Sequence, residues 1–266
     1  MSNLTLPFAS VYGPVKSWRF GRSLGIDPIG CISTCSFNCA YCQLGEIEVR
    51  TIKRQIFVPT EQIVRDLQAF KPWEFDVVTL SGSGEPTLAL NLEEILTAVK
   101  EITQRPTVVL TNSTLLNSSE VRSALTLADT VAAKLDAILL EQLQRVNRHV
   151  EGVDLSSILA GLEKFHQEYQ GSLTIQTTIL FPWSLEERLA YIDLVQHLEP
   201  DEIQLNTPTR PRPLVHQLEA RGNDTESLPY STRTLKQVSA TFLQTFAVQI
   251  EEATEIPVRV TPVAPL

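Results

Sequence analysis

The residues best suited to chemistry in this chain lie in Cys35-Ser36-Phe37-Asn38-Cys39-Ala40-Tyr41-Cys42. Three thiols stand within eight residues, separated by three residues and then by two, with an aromatic residue just before the last. Cysteine thiolates are the usual ligands of iron–sulfur cubes. A short loop with this spacing can wrap one corner of a cube and bind three of its four irons. The fourth iron is then left to a small molecule, which is what a reductive radical reaction requires.

All 4 cysteines of the chain, Cys31 included, fall between positions 31 and 42. A disulfide framework would spread its cysteines along the chain to staple distant segments. A tight group in a reducing compartment instead binds metal or does redox chemistry. Cys31 reads as a small buried apolar bystander. As a fourth ligand it would make the chain a non-catalytic four-cysteine electron-transfer or sensing protein. Structural zinc is the next alternative, but it takes ligand pairs from two separated segments. A dithiol pair, Cys39-Ala40-Tyr41-Cys42, has no use for Cys35.

Such a loop needs a scaffold. The sequence predicts strands at Ser23–Ile29, Phe75–Leu80, Thr107–Thr111, Thr130–Leu135, Leu173–Phe181 and Glu202–Asn206. It predicts helices between them at Pro59–Phe70, Asn91–Ile102, Ser118–Leu127, Asp154–Tyr169 and Leu185–His197. A late helix is expected at Thr232–Phe246, and an edge strand or tail at Pro257–Val263. Alternation of this kind implies an α/β protein with a mostly parallel sheet and helices outside it. Six units are too few for an eight-fold barrel, so a partial (β/α)6 TIM-like barrel is expected. Residues 23–212 would form this core, with short extensions at 1–22 and 213–266, the latter covering the barrel.

In barrels of this type the chemistry sits at the C-terminal ends of the strands. The polar groups obey that rule. The cysteine loop follows the first predicted strand. Ser81-Gly82-Ser83-Gly84-Glu85-Pro86-Thr87 follows the second, Asn112 the third, Lys134-Leu135-Asp136 ends the fourth, and Asn206-Thr207-Pro208-Thr209 follows the sixth. Gly82 and Gly84 free the backbone for a sharp turn and a close approach. Glu85 sets a carboxylate at a strand end, where it could meet an ammonium group.

The thiol motif with Tyr41, followed by a strand ending in Ser83-Gly84-Glu85-Pro86, resembles the radical S-adenosylmethionine superfamily over roughly Val11 to Arg212. The resemblance implies a [4Fe-4S] cluster on Cys35, Cys39 and Cys42, with S-adenosylmethionine chelating the open iron. It implies reductive cleavage to methionine and a 5′-deoxyadenosyl radical, which abstracts hydrogen from a substrate. It also implies a low-potential electron donor such as flavodoxin or ferredoxin. By position, Ser83, Gly84 and Glu85 would meet the methionine amino group and Tyr41 would lie against the adenine. Asp136 would stand near the ribose, and Asn112 and Asn206 would line the same pocket. The chain departs from the common pattern at Ser83, where a glycine is usual, and at Lys134, where a serine often stands.

Val11-Tyr12-Gly13-Pro14-Val15, Gly21-Arg22-Ser23-Leu24-Gly25, Tyr41-Cys42-Gln43-Leu44-Gly45 and Gln204-Leu205-Asn206-Thr207-Pro208-Thr209-Arg210-Pro211 are similar to an iron–sulfur oxidoreductase subgroup. That subgroup is related to wyosine-type tRNA-modifying enzymes. Those enzymes carry extra N-terminal cysteines for a second cluster, and this chain has none, so their reaction is not implied here.

A net charge of −9 opposes broad nucleic-acid binding, which relies on positive potential. RNA therefore stands among the substrate classes without support from charge, beside peptides and small metabolites. A zinc-stabilised RNA-binding module suits the tRNA-enzyme likeness but not this acidity. Arg19 with Arg22, and Arg210-Pro211-Arg212 with Arg221, are local basic patches, each most simply a solvated surface. Trp18, Trp73 and Trp183 read as packing residues. Met1 to Ser10 lacks the basic and apolar regions of a signal peptide, and no apolar run approaches the ~20 residues of a membrane span. A cytoplasmic protein is expected.

Overall fold

Parallel strands covered on both faces need apolar side chains throughout, and the central strands of this chain supply them. A computed structural model describes residues 8–222 and 230–262. Eight strands form one sheet in chain order: β1 Val11–Ser17, β2 Gly21–Ile26, β3 Val77–Leu80, β4 Thr107–Thr111, β5 Thr130–Lys134, β6 Ser172–Thr178, β7 Glu202–Asn206 and β8 Val258–Val260. Only β1 and β2 run antiparallel; every other neighbouring pair is parallel. The fold is the expected α/β partial barrel. Val131, Ala132 and Ala133 of β5 are all buried, as a strand between helices and a barrel interior demands.

The helices pack outside through one apolar stripe each. They are α1 Thr60–Leu67, α2 Leu92–Thr103, α3 Ser119–Leu125, α4 Leu155–Glu168, α5 Leu185–Leu198 and α6 Ala240–Thr254. In α2 the buried Leu92, Ile95, Leu96 and Val99 follow helical spacing. Asp154 caps α4 by accepting from the Ser157 N–H at 2.8 Å. Ser184 and Glu187 form a capping box at the start of α5. Among the described residues, no helix is long and apolar enough to cross a membrane.

Several elements depart from the sequence expectation. Strand β1 is unpredicted because Pro14 breaks its pattern. Proline is tolerated there because β1 is the edge strand, and the register shifts between Tyr12 and Val15. The expected helix at Pro59–Phe70 ends at Leu67 and tightens into a 3-10 turn over Gln68–Phe70. The late helix begins at Ala240 rather than Thr232, where Ser239 supplies the cap by accepting from the Phe242 N–H at 3.1 Å. Thr232–Arg233 instead pairs antiparallel with Arg212–Pro213. Residues 1–7, 223–229 and 263–266 lie outside the described residues, and with them part of the terminal extensions and of the N-terminal leader reading.

The sheet curls until a side chain of its last strand reaches its first turn. Arg259 of β8 donates from Nη1 to the Arg19 carbonyl at 2.9 Å and from Nη2 to the Trp18 carbonyl, both in the β1–β2 turn. The closing layer, α6, is fixed by an aromatic cluster. Tyr191 and Phe246 meet edge to face at 5.5 Å, with Trp183 within 5.8 Å of both. Phe246→Ala should destabilise the fold by about 3–5 kcal/mol, read from the urea midpoint at unchanged slope.

Candidate active site

The cysteine loop is held from two sides by backbone. On one side, Thr34 donates its N–H to the Ser83 carbonyl at 3.0 Å, and Glu85 donates to the Thr34 carbonyl at 3.1 Å. A Cβ on Gly84 would fall far inside contact distance of the Thr34 carbonyl oxygen, so only glycine allows this approach. On the other side stands a single π-helical turn, Leu143–Asn147. Asn38 donates to the Asn147 carbonyl at 2.9 Å and Ala40 to the Val146 carbonyl at 2.8 Å. Tight turns close the loop itself, Cys42 N–H to the Cys39 carbonyl and Gly45 N–H to the Cys42 carbonyl, both 3.1 Å.

Cys35, Cys39 and Cys42 line one cavity of about 380 Å³ at the C-terminal ends of the strands. Cys31 is exposed and outside it. It is a bystander of the cavity, but not through burial as its small apolar character suggested. Burial pushes the Cys39 thiol up to about 12, against the pull of Lys134, and drives Cys35 and Cys42 the same way. Polar donors nevertheless point at two of the sulfurs. Phe37 N and Asn112 Nδ2 each stand 3.4 Å from Cys35 Sγ, and Asn147 Nδ2 is 3.5 Å from Cys39 Sγ. Donors at sulfur favour thiolates and tune a cluster's potential.

This donor set fits an iron–sulfur cube. Three thiols face one space and hydrogen-bond donors meet two of them. Among the described residues, no three acidic, histidine or cysteine side chains are grouped to share a single metal ion. A cube asks instead for one thiolate on each of three irons.

The other predicted residues divide into two sets. Tyr41, Gly84, Glu85, Asn112 and Asn206 line the cavity with the thiols; Ser83 and Asp136 do not. The Ser83 hydroxyl turns away and donates to Asp27 Oδ2 at 2.6 Å. Asp136 is held by three donors: Tyr41 OH and Asn147 Nδ2 (2.7 Å) donate to Oδ2, and the Thr178 N–H donates to Oδ1 at 2.7 Å. Glu85 is 2% exposed and ties two strand ends together. Its Oε1 accepts from Thr87 N (3.1 Å), Thr87 Oγ1 (2.7 Å) and Thr111 Oγ1 (2.7 Å), and its Oε2 from Asn112 N (2.7 Å). Burial pushes the Glu85 carboxyl up, and these donors pull it back only in part.

Sequence reasoning missed what holds these groups. Lys134, noted only as a departure from a pattern, lines the cavity and donates to Tyr41 OH at 2.7 Å. Burial alone would lower its pKa, but Asp136 and then Cys39 carry it above the ordinary lysine value. Asp27, fully buried at the end of β2, pairs with Arg221 at 2.7 Å. Arg221 ends a strap that crosses the cysteine loop. Along it, Arg210 Nη1 reaches Gln43 Oε1 (3.1 Å), Arg212 Nη2 reaches Glu46 Oε2 (2.9 Å), and the Gln217 N–H reaches the Leu44 carbonyl (2.8 Å). The only available signal was an aspartate just past a strand and a scatter of arginines.

Comparison with known proteins bears on this geometry. The family model described as the radical SAM superfamily matches residues 29–195. The chain belongs to the radical SAM superfamily. A UPF0026 protein of Synechocystis sp. is 54% identical over 259 residues, covering 96% of this chain and 97% of that protein. A UPF0026 protein of Methanocaldococcus jannaschii is 32% identical over 206 residues, 75% of this chain and 64% of that one. Among solved structures, a radical SAM methyltransferase from Sphaerobacter thermophilus aligns with a TM-score of 0.57 at 18% identity, covering 90% of this chain and 65% of that chain. The anSMEcpe protein with bound AdoMet aligns at 0.59 and 14% identity, covering 90% and 63%. At these identities the structural likeness speaks to fold alone, and this chain spans under two thirds of either solved chain.

Two outcomes are expected from the site's packing. In the metal-free protein at pH 8, iodoacetamide should label the exposed Cys31 first and the three half-buried cavity thiols more slowly, because alkylation needs an accessible thiolate and theirs are pushed toward the neutral form. Mass spectrometry of the peptides reads this order. Gly84→Ala should displace the cysteine loop and lower iron and sulfide content after anaerobic reconstitution, while Gly222→Ala, where a Cβ meets only the Glu219 carbonyl oxygen at 3.8 Å, should keep both.

Proposed function

We propose that this chain is a radical enzyme that holds a [4Fe-4S] cluster on Cys35, Cys39 and Cys42 and binds S-adenosylmethionine in the cavity beside it. One observation carries the reading: three half-buried thiols face a single cavity while the fourth cysteine lies outside it. The cluster and cofactor would supply one-electron cleavage of a sulfonium C–S bond, releasing methionine and a 5′-deoxyadenosyl radical that takes hydrogen from the substrate. Everything else falls to the chain.

Glu85 has the geometry to receive the methionine ammonium. Three of its described donors fall on Oε1 and only one, the Asn112 N–H, on Oε2, so Oε2 is the oxygen with room for a further donor. Asn112 spends its side chain on the loop, donating to Ser36 Oγ at 2.8 Å and to Cys35 Sγ. It therefore positions the cluster rather than the cofactor. Asp136 acts through Tyr41, whose ring it orients through the phenol while Lys134 holds the same oxygen. The strap and the curled sheet keep water from the reacting centre. A low-potential one-electron donor, a flavodoxin or ferredoxin, completes the reading. The likeness of the sequence motifs to the subgroup related to wyosine-type tRNA enzymes belongs here as well, as a resemblance that carries no reaction over. The exposed Cys31 counts against a four-cysteine electron carrier.

The test is electron paramagnetic resonance on anaerobically reconstituted, dithionite-reduced protein. A [4Fe-4S]⁺ signal that changes on adding S-adenosylmethionine, with 5′-deoxyadenosine formed, is expected. Cys35→Ala should abolish 5′-deoxyadenosine, and Cys31→Ala should retain it. A cluster signal indifferent to the cofactor, or its loss in Cys31→Ala, would overturn the proposal. So would stoichiometric zinc in place of iron.

A further inference from the structure

The inward face of the sheet carries polar side chains where barrels of this kind usually carry bulky branched ones. Ser23, Thr79 and Gln176 line the cavity from β2, β3 and β6. Ser23 Oγ meets Thr79 Oγ1 at 2.6 Å, and Tyr12 OH meets Ser81 Oγ at 2.7 Å. Register sets Lys134, Gln176, Gln204 and Arg259 side by side across β5, β6, β7 and β8, so they share one face of the sheet. Gln204 is fully buried and Gln176 half-buried. Burying amides inside a barrel is costly unless their hydrogen bonds are made.

These hydrogen bonds run in one direction only. Glu202, with Arg259 Nη1 at 3.8 Å, is a carboxylate and can only accept. Gln204 therefore turns its amide nitrogen to Glu202 Oε1, at 2.6 Å, and its carbonyl to the other side. That carbonyl accepts from Gln176 Nε2 at 2.8 Å, which fixes the Gln176 amide in turn. One N–H of Gln176 is thereby spent. The rest of the amide, Oε1 and the second N–H, has no partner among the described residues and belongs to a side chain of the cavity wall. Two side chains, one of them fully buried, thus set which way a third presents its donor and its acceptor. Supporting hydrogen bonds of this kind hold a recognition group in one orientation.

We propose that Gln176 is a specificity-determining residue that reads an amide or lactam group of a small-molecule substrate in this cavity. This rests on the radical reading only in taking the cavity as the substrate's. An amide or lactam carries a carbonyl acceptor beside an N–H donor, the complement of what Gln176 leaves open. A carboxylate brings no donor for Oε1, and an apolar group leaves both halves of the amide unmet. A site whose polar groups go unpaired discriminates strongly against such ligands. The cavity, about 380 Å³, has the size of a small-molecule site.

The test is a ligand-observed NMR titration of the reconstituted full chain, saturated with S-adenosylmethionine. Uracil is the lactam probe, nicotinamide the primary-amide probe, and the fully N-methylated form of each its control. At least one probe should bind saturably and its methylated form should not. The stronger probe identifies the group. Gln176→Leu should weaken that binding by about fivefold or more, the cost of an unmet hydrogen bond. Gln204→Leu leaves Gln176 in place but frees its amide to turn, and should weaken binding by a smaller factor that packing alone would not produce. Gln196→Leu, exposed on α5, should leave it unchanged. Thermal melts check that each variant folds, and Gln176→Met repeats the test should Gln176→Leu fail to. The proposal fails if neither probe binds the wild-type chain, if the methylated forms bind as well, or if the Gln176 variant binds as wild type does. It also fails if Gln176→Leu weakens S-adenosylmethionine as much as the probe, since the residue would then seat the cofactor. Unchanged binding by Gln204→Leu would overturn the orienting chain. Iron content and 5′-deoxyadenosine formation by the wild-type chain are measured in parallel. Their absence would sink the radical reading, whereas their presence without probe binding would sink only this one.

Discussion

The carbonyl of Thr34 and the backbone of Gly84 approach so closely that no side chain fits between them. The rest of the site depends on that contact. It joins the loop carrying the thiols to the turn carrying Glu85, through hydrogen bonds that run in both directions between the two backbones. Move the turn and the sulfurs lose the wall that aims them into the cavity. The π-helical turn at Leu143–Asn147 grips the same loop from the far side, and Asn147 there serves both Asp136 and Cys39. Single π turns of this kind recur at functional sites, where one extra residue re-aims a side chain.

Desolvation is the second governing term. The three thiols, Tyr41 and Glu85 are all pushed up by burial first, so their surroundings favour the neutral forms. Thiolate ligands must lose their protons to bind metal, so assembly of a cluster releases protons and is opposed by acid. The donors already aimed at Cys35 and Cys39 lower that barrier without removing it. Burial also explains why Asp136 is so fully hydrogen-bonded: a carboxylate this deep is stable only when its oxygens are met.

The curl of the sheet turns a one-sided scaffold into a chamber. Arg259 reaches from the last strand to the first turn, the strap crosses the cysteine loop, and Arg221 closes on Asp27. Each of these is a cation of the C-terminal half meeting an acceptor of the N-terminal half. The cavity is thus bordered by contacts of very long sequence separation.

The sequence alone determined the thiol loop, the strand–helix alternation and the side of the barrel that carries polar groups. All three are local or periodic properties. Metal-ligand spacing, apolar runs of strand length and helical stripes are written in neighbouring residues. It also named Glu85, Asn112 and Tyr41 as cavity residues, because strand ends in such barrels share one face. Only the tertiary structure decided what each of those side chains touches. It turned Ser83 toward Asp27, gave Asp136 three donors, put Lys134 on Tyr41, and set Arg19 and Arg210 in one cavity though 191 positions separate them in the chain. It also drew β1 into the sheet despite its proline and moved the start of α6 to the cap at Ser239. Those outcomes follow from burial and from partners that fold into place from far along the chain, and no window of neighbouring residues contains them.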